Sequence, residues 1–76
     1  MNMTQEQCNK ALYVKGELTA AVKAAVKSIV KCSFTVVDNN EFVEIEYCNG
    51  YKPRINVDGD SYAALAYDVF KYLRNH

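Results

Sequence analysis

Asn56, Asp58 and Asp60 alternate along the chain like the first ligands of a calcium-binding loop, so a hard-cation site is the first chemistry to consider. Such a loop requires a glycine and a bidentate glutamate further along, but Ser61 and Tyr67 stand at those positions. These two residues argue against a calcium loop. The acidic residues instead predict a turn and the cap of a following helix, because negative charge at a helix N-terminus is favourable.

Three cysteines and a single histidine are the residues that a thiol nucleophile or a metal site would use. The cysteine number is odd and the spacing is not that of metal ligands, which favours a reducing, cytoplasmic compartment. Cys8 and Cys32 are predicted to be buried, whereas Cys48 lies in a turn and should react with thiol reagents. A cysteine–histidine pair would need His76 at a chain end that frays. We therefore predict no enzyme, no catalytic residue, no metal and no cofactor.

The charges around the middle of the chain could also be a carboxylate pair with basic helpers. Glu44 and Glu46 are separated from Lys52 and Arg54 by a turn, so the four side chains can pair across two strands. Exposed ion pairs of this kind contribute only about 0 to 1 kcal/mol each. The pattern therefore indicates a solvent-exposed sheet face rather than a catalytic site.

The segment Cys48-Asn49-Gly50 predicts a hairpin with a three-residue loop and a left-handed glycine. A two-residue loop would place apolar side chains on the same face as lysine and arginine, because a one-residue slip reverses a strand. The three-residue loop agrees with both the apolar and the charged pairs. It places Tyr47 opposite Tyr51, Ile45 opposite Pro53, and Val43 opposite Ile55.

A tight turn around Asn39-Asn40 is predicted to join the first two strands, since asparagine tolerates positive φ angles. This register places Phe34 opposite Ile45 and Val36 opposite Val43. The apolar face then carries Phe34, Val36, Val43, Ile45, Tyr47, Tyr51, Ile55 and Val57. Val37 beside Phe42 is the apolar exception on the other face.

Helices are predicted on both sides of the strands. Apolar residues recur at helical spacing from Asp60 to Asn75, after a turn and a cap. Upstream, a second apolar stripe runs from about Thr4 to Lys31, either as one helix or as two separated near Gly16. The stripe consists of Cys8, Ala11, Val14, Leu18, Val22, Ala25, Ile29 and Cys32. We predict a single α+β domain over residues 1–76, with two layers in the order α-β-β-β-α: a three-stranded antiparallel meander with two helices packed on one face.

The first helix is predicted to be longer than the sheet that it covers. At 1.5 Å per residue it would be about 42 Å long, against about 20 Å for a six-residue strand. Cys8, Ala11, Leu12, Tyr13 and Val14 would then lack an intramolecular partner, which predicts a homodimer or docking to another protein through this half of the helix. The alternative is a bend at Gly16 that folds the segment back over the core.

The helix–strand–strand–strand–helix order is similar to that of double-stranded RNA-binding domains. Those domains start their second helix with lysines that contact phosphates; this chain has Asp58, Asp60, Ser61, Tyr62, Ala63 and Ala64 there. The chain has nine basic and nine acidic residues, so electrostatic attraction to nucleic acid is weak overall. Nucleic-acid binding is therefore the alternative function, with the candidate contacts Lys15, Lys23, Lys27 and Lys31 along helix one.

Protein binding without catalysis is the function that the sequence favours. A chain of 76 residues, 50% of them hydrophobic, predicts one small domain, and no apolar run approaches the roughly 20 residues that span a membrane. We expect a small regulator or inhibitor of the kind that bacteria and phages encode. The predicted interface residues are Leu12, Tyr13, Val14, Val37, Phe42, Tyr67 and Tyr72.

Overall fold

The computed structural model describes residues 3–57, 59 and 61–75. Over these residues, two helices and a three-stranded antiparallel sheet form the predicted α+β fold. Helix α1 covers residues 5–25, strands β1, β2 and β3 follow, and helix α2 closes the order. Their bounds are Ile29–Val37 for β1, Asn40–Tyr47 for β2, Arg54–Asn56 for β3 and Tyr62–Arg74 for α2. The predicted turn and cap residues Asp58 and Asp60, and the single histidine His76, lie outside the described residues.

Helix α1 is continuous through Gly16 and contains a π-helical segment. It is α-helical over Gln5–Tyr13, π-helical over Val14–Leu18 and α-helical again over Thr19–Ala25. A π turn holds more residues than an α turn, so residues four apart stay closer to one line. Val14, Leu18 and Val22 consequently all face the core. The helix is not interrupted at Gly16, and its first half contacts the rest of the fold through Val14 in the core and through Lys10, which bonds to Glu41 of β2.

The boundary between α1 and β1 differs from the prediction. The helix ends at Ala25, where Val26 is extended with φ −132° and ψ 105°. Strand β1 already begins at Ile29, so the predicted helix end at Lys31 and the predicted strand start at Ser33 are wrong. β-branched residues favour strands over helices, which explains why the chain leaves the helix early.

A β-bulge near the start of β1 explains why the apolar residues there have the spacing of a helix. Ile29 and Lys31 pair with neighbouring residues of β2, so Val30 is an extra residue. The bulge allows Ile29 and Cys32, three apart, to be buried on the same side. Three-residue spacing is a helical signature when it is judged from the sequence alone.

The β1–β2 turn lies one residue earlier than predicted. Asp38 and Asn39 have φ of 51° and 66°, the left-handed values that a two-residue hairpin loop requires. The register therefore moves by two residues, and the predicted pairs Phe34–Ile45 and Val36–Val43 are replaced by Phe34–Val43 and Cys32–Ile45. A shift of two preserves the faces of a strand, so the apolar face of the sheet was still predicted correctly.

The β2–β3 hairpin has the predicted register. Val43 pairs with Ile55 and Glu44 with Arg54, and Gly50 has φ of 93°. Pro53 accepts a bond from the Ile45 amide at 2.9 Å, but it has no N–H with which to return one. Regular pairing consequently covers only the three residues of β3.

The core lies between the sheet and the two helices. Its buried apolar residues come from both helices, from β1 and β2, and from the residue after β3: Val14, Leu18, Val22, Ile29, Cys32, Val43, Ile45, Val57, Leu65 and Val69. Helix α2 is positioned by Ser61, whose hydroxyl accepts a hydrogen bond from the Ala64 amide at 3.1 Å. The opposite sheet face is left to solvent, as is usual for antiparallel sheets.

Candidate protein-binding surfaces

The N-terminal halves of the two helices enclose a surface groove of about 430 Å³. We call it the Leu12 groove; its lining consists of Asn9, Leu12, Tyr13, Gly16, Glu17 and Tyr62. Leu12 is 69% exposed, although α1 as a whole packs against the sheet. The ring of Tyr13 stacks on the ring of Tyr62, with centroids 4.7 Å apart and planes within 5°. The stack joins α1 to the first turn of α2 and forms an aromatic wall beside the exposed leucine.

Gly16 lines the Leu12 groove one helical turn from Leu12, and we call its exposed backbone the floor of the groove. A Cβ atom placed on Gly16 would have no described atom within 4 Å, apart from its neighbours in the helix. Glycine inside a helix costs about 1 kcal/mol relative to alanine. Packing within the described chain does not explain this glycine, whereas an open floor leaves room for a side chain of another molecule.

A second surface is the outer edge of β1, which pairs with no other strand in the part of the chain that the structure describes; we call it the free edge of β1. The amides of Ile45 and Tyr47 donate to the carbonyls of Pro53 and Tyr51, on the side of β2 where β3 lies, so the alternate residues of β2 must bond to β1. Thr35, opposite Phe42, is therefore one of the β1 residues that bond to β2. Phe34 and Val36 consequently direct their N–H and C=O groups away from the sheet.

Thr19 covers the same edge at Cys32. The Thr19 hydroxyl accepts from the Cys32 amide at 3.1 Å and lies 3.2 Å from the Cys32 carbonyl and 2.7 Å from the Val14 carbonyl. Burial raises the pKa of the Cys32 thiol, although a hydrogen bond with Thr19 acts in the opposite direction. Thr19, the first residue after the π segment of α1, thus satisfies the outward backbone groups of Cys32.

Two depressions adjoin the uncovered part of this edge. One, of about 520 Å³, lies between α1 and the strand and is lined by Ala11, Lys15, Lys31, Cys32, Ser33 and Phe34. The other, of about 250 Å³, is lined by Met3, Phe34, Thr35 and Val36. These depressions leave room beside Phe34 and Val36 for an additional strand to pair with the edge of β1.

A partly buried ion pair between Lys10 and Glu41 was not predicted from the sequence. Lys10, only 4% exposed, donates to Glu41 at 2.8 Å and to the Gly59 carbonyl at 3.1 Å, and Gln7 donates to the same carboxylate at 3.2 Å. Burial alone would raise the pKa of Glu41, but the hydrogen bonds from Lys10 and Gln7 and the Lys10 charge lower it below its usual value. We call this cluster the Lys10 latch, because it ties α1 to β2 and to the segment before α2.

The sequence does contain one signal for the latch. Thr4 and Gln7 form a capping box, in which the Thr4 hydroxyl accepts from the Gln7 amide and the Gln7 side chain accepts from the Thr4 amide. This box fixes the start of the helix and therefore the face that carries Lys10. Its long-range partner, Glu41, could not be inferred from local sequence.

The predicted interface residues do not form one surface. Leu12 and Tyr13 line the Leu12 groove, but Val14 is 0% exposed and belongs to the core, so it cannot contact a partner. Phe42 is opposite Thr35 and Val37 is opposite Asn40, so the predicted Val37–Phe42 pair is wrong. The two-residue shift in register places them diagonally across the two strands instead of directly opposite each other.

The remaining interface candidates are on α2. Tyr67 is 61% exposed on the outer side of the helix. Tyr72 is half-buried and packs against the core. Burial, a hydrogen bond with Tyr51 and the neighbouring charges of Tyr51 and Tyr47 raise the pKa of Tyr72. Of these two, Tyr67 is the one that a partner could cover fully.

The four lysines of the nucleic-acid alternative are exposed, but they do not form the predicted line on helix one. Lys15 and Lys23 lie on α1, Lys27 is in the following turn and Lys31 is in β1. Lys15 and Lys31 line the same depression, where Lys31 is 3.8 Å from Glu46. The early end of α1 is the reason that the line is broken.

Within residues 3–57, 59 and 61–75, no cluster of three or more histidine, cysteine, aspartate or glutamate side chains could hold a metal ion. In that part of the chain, no helix combines the length and the apolar character needed to cross a membrane. Comparison of the chain with protein-family models, curated proteins and solved structures finds no match.

Proposed function

We propose that this chain is a non-enzymatic protein-binding module that contacts its partner through the Leu12 groove. The main support is the exposed Leu12 beside the stacked tyrosines and above an open glycine. Aromatic side chains and exposed apolar clusters are enriched where proteins bind each other. A glycine floor lets a partner side chain approach the helix backbone closely.

The chemistry of the groove indicates the kind of partner that would fit. Leu12 and the Tyr13–Tyr62 stack would contact an apolar anchor, while Asn9 and Glu17 provide polar groups around it. Buried apolar anchors surrounded by a polar rim are typical of binding hot spots. A cytoplasmic regulator or inhibitor that covers a site on a larger protein is the role that we propose.

Capture of partners from an extract of the producing cell tests this proposal through a matched pair of variants. Leu12→Asp should abolish capture of the partner, because a charge would be buried without a counter-ion. Its thermal unfolding should match that of the original chain, since Leu12 is largely exposed. Tyr67→Asp places the same charge on a similarly exposed side chain and should retain the partner.

The opposite pattern would contradict the proposal. If Tyr67→Asp loses the partner and Leu12→Asp retains it, the contact surface is on α2. If both retain it, neither surface is the interface. If the captured material disappears on nuclease treatment, and Lys15→Glu with Lys31→Glu prevents its capture, the nucleic-acid alternative replaces the proposal.

Gly16→Ala gives a second test in which stability and binding move in opposite directions. Alanine should raise the free energy of unfolding by about 0.5 to 1 kcal/mol, because it favours the helix and its methyl group meets no described atom. The same methyl group would fill the floor of the groove and should weaken partner binding. A stabilised variant that binds normally would show that the floor is not used.

A further inference from the structure

We propose that the free edge of β1 pairs with β1 of a second copy of this chain, antiparallel and with the two-fold axis at Thr35. The pairing would join two three-stranded sheets into one continuous sheet. It is independent of the Leu12 groove, which lies on the helix layer between α1 and α2. The proposal rests on the directions of the backbone groups along β1 and on the residues that limit them.

Phe34 and Val36 supply the hydrogen bonds. Both direct N–H and C=O groups outward, and they are on either side of Thr35. An axis through Thr35 places Phe34 of one copy opposite Val36 of the other, in the geometry where paired residues exchange both bonds. The symmetric pair does the same, so every outward group of these two residues finds a partner.

Both ends of this short ladder are set by the chain itself. In the Thr35-centred register the next pair would be Cys32 with Asp38. The outward groups of Cys32 are already covered by Thr19, and Asp38 has left the strand with φ of 51°. The uncovered part of β1 therefore extends equally far on both sides of Thr35, as an isologous contact requires.

Side chains and charges agree with the same register. Phe34 would lie beside Val36 of the second copy on the helix side of the joined sheet, and the two Thr35 side chains would face each other on the open side. No charged residue lies between Lys31 and Asp38, so nothing within the ladder repels a copy. Lys31 would come beside the turn that carries Asp38 of the second copy, which pairs opposite charges at both ends.

This complementarity favours a second copy over an unrelated strand. A foreign segment could use the outward groups of Phe34 and Val36, but it would not automatically end at the Thr19 cover or bring an acidic turn to Lys31. The uncovered part of the edge, from Ser33 to Val37, is also uncharged and free of proline, so neither of these features prevents another strand from pairing with it.

Disulfide trapping tests the register directly. In a Cys8→Ser, Cys48→Ser background, Thr35→Cys places two thiols opposite each other. They form a non-hydrogen-bonded pair, the kind in which the Cα atoms are close enough for a disulfide. We expect oxidation to convert most of this variant into a covalent dimer. Ser33→Cys is the matched control, because the axis separates its two copies by several residues; it should cross-link at least tenfold more slowly.

Sedimentation of the full chain from about 10 μM to 1 mM tests the association itself. We expect dimer to increase with concentration, and Val36→Pro to weaken association at least tenfold, because proline removes an outward donor. Val36→Thr keeps that donor and should still associate. Circular dichroism of each variant establishes that the monomer remains folded.

Three results would overturn the inference. A chain that stays monomeric at the highest concentration has no such dimer. Rapid cross-linking of Ser33→Cys would mean a different register. A folded Val36→Pro variant that still dimerises would place the contact elsewhere, whereas loss of a foreign partner on the same substitution would assign the edge to that partner. None of these results depends on Leu12→Asp, so the proposed function stands or falls separately.

Discussion

The two edges of this sheet present different chemistry to solvent. Strand β1 offers nine residues without proline, and its central part from Cys32 to Val37 is uncharged. Strand β3 offers three residues, preceded by Pro53 and carrying Arg54. Short length, proline and charge are the means by which proteins prevent strands from adding to an edge. One edge is therefore closed by its sequence and the other is left open.

The two sides of the sheet also differ in the contacts that hold them. On the β3 side, Pro53 limits the ladder and the Lys10 latch holds Glu41, whose carbonyl also accepts from Val57 at 2.9 Å. On the β1 side, among residues 3–57, 59 and 61–75, the hydrogen bonds that cover the outer edge come from Thr19, and they cover a single residue. Substitutions on the two sides should therefore change the free energy of unfolding by different amounts.

The largest expected effect is that of proline on β1, and it depends on which way an amide points. Thr35→Pro removes a donor that bonds to β2 and should lower the free energy of unfolding by about 3 kcal/mol. Val36→Pro removes a donor that points outward and should lower it by less than about 1 kcal/mol. Chemical denaturation of both variants measures the difference. Equal losses would mean that the outward direction of Val36 is wrong.

Removal of Lys10 should have the next largest effect. Lys10→Met leaves the partly buried Glu41 carboxylate without its cation, and we expect a loss of about 2 kcal/mol at neutral pH. The carboxylate retains Gln7 and some solvent, which keeps the loss below that of a fully buried pair. Denaturation at pH 7 measures it, and an unchanged stability would show that the latch does not hold α1.

The same latch predicts a pH dependence. The pKa of Glu41 is lowered from its ordinary value of 4.5, so the interaction stabilises the fold above that pH. The stabilisation is lost as the pH falls below 4.5 and through the pKa of the folded chain. Thermal unfolding between pH 2.5 and 7 should therefore show a smaller acid loss for Lys10→Met than for the original chain. Parallel curves for the two proteins would contradict this assignment.

Gly59→Ala, on the β3 side, should lower the free energy of unfolding by about 1 to 2 kcal/mol. A Cβ on Gly59 would meet the Ala64 methyl group and approach the Ala64 backbone at 3.3 Å, so α2 would have to move. The double variant with Ala64→Gly is the matched control. Thermal unfolding should show partial recovery in the double variant, and a destabilised single variant without recovery would indicate another cause.

The smallest expected effect is that of replacing Pro53, which limits pairing at the β3 edge. Pro53→Val restores an N–H that can bond to the Ile45 carbonyl, while a freer unfolded chain offsets part of the gain. We expect the stability to change by less than about 0.5 kcal/mol. The amide that this substitution introduces should nevertheless be protected from hydrogen exchange. Rapid exchange there would show that proline is not what shortens β3.

Much of this fold could be predicted because local chemistry and pattern agree. Gly50 fixed the second hairpin, Ser61 fixed the start of α2, and alternation fixed the buried face of the sheet. The start of β1 could not be predicted, since the bulge at Val30 gives Ile29 and Cys32 a helical spacing. The first turn could not be placed, because Asp38-Asn39 and Asn39-Asn40 are chemically similar.

The candidate surfaces were harder to infer from the sequence. Leu12 was identified because a long amphipathic helix was expected to extend beyond its sheet, but Val14 was wrongly included, since a π segment turns it to the core. The free edge of β1 depends on hydrogen-bond phase and on the Thr19 cover. Neither is visible until the register is known, because both are long-range contacts.

Amide hydrogen exchange at two protein concentrations tests the difference between the edges most directly. If β1 pairs with a second copy, the Phe34 and Val36 amides should become protected as the concentration rises, while Thr35 stays protected throughout and Arg54 does not change. If Phe34 and Val36 exchange rapidly and equally at both concentrations beside a protected Thr35, the open edge is free and the pairing is contradicted.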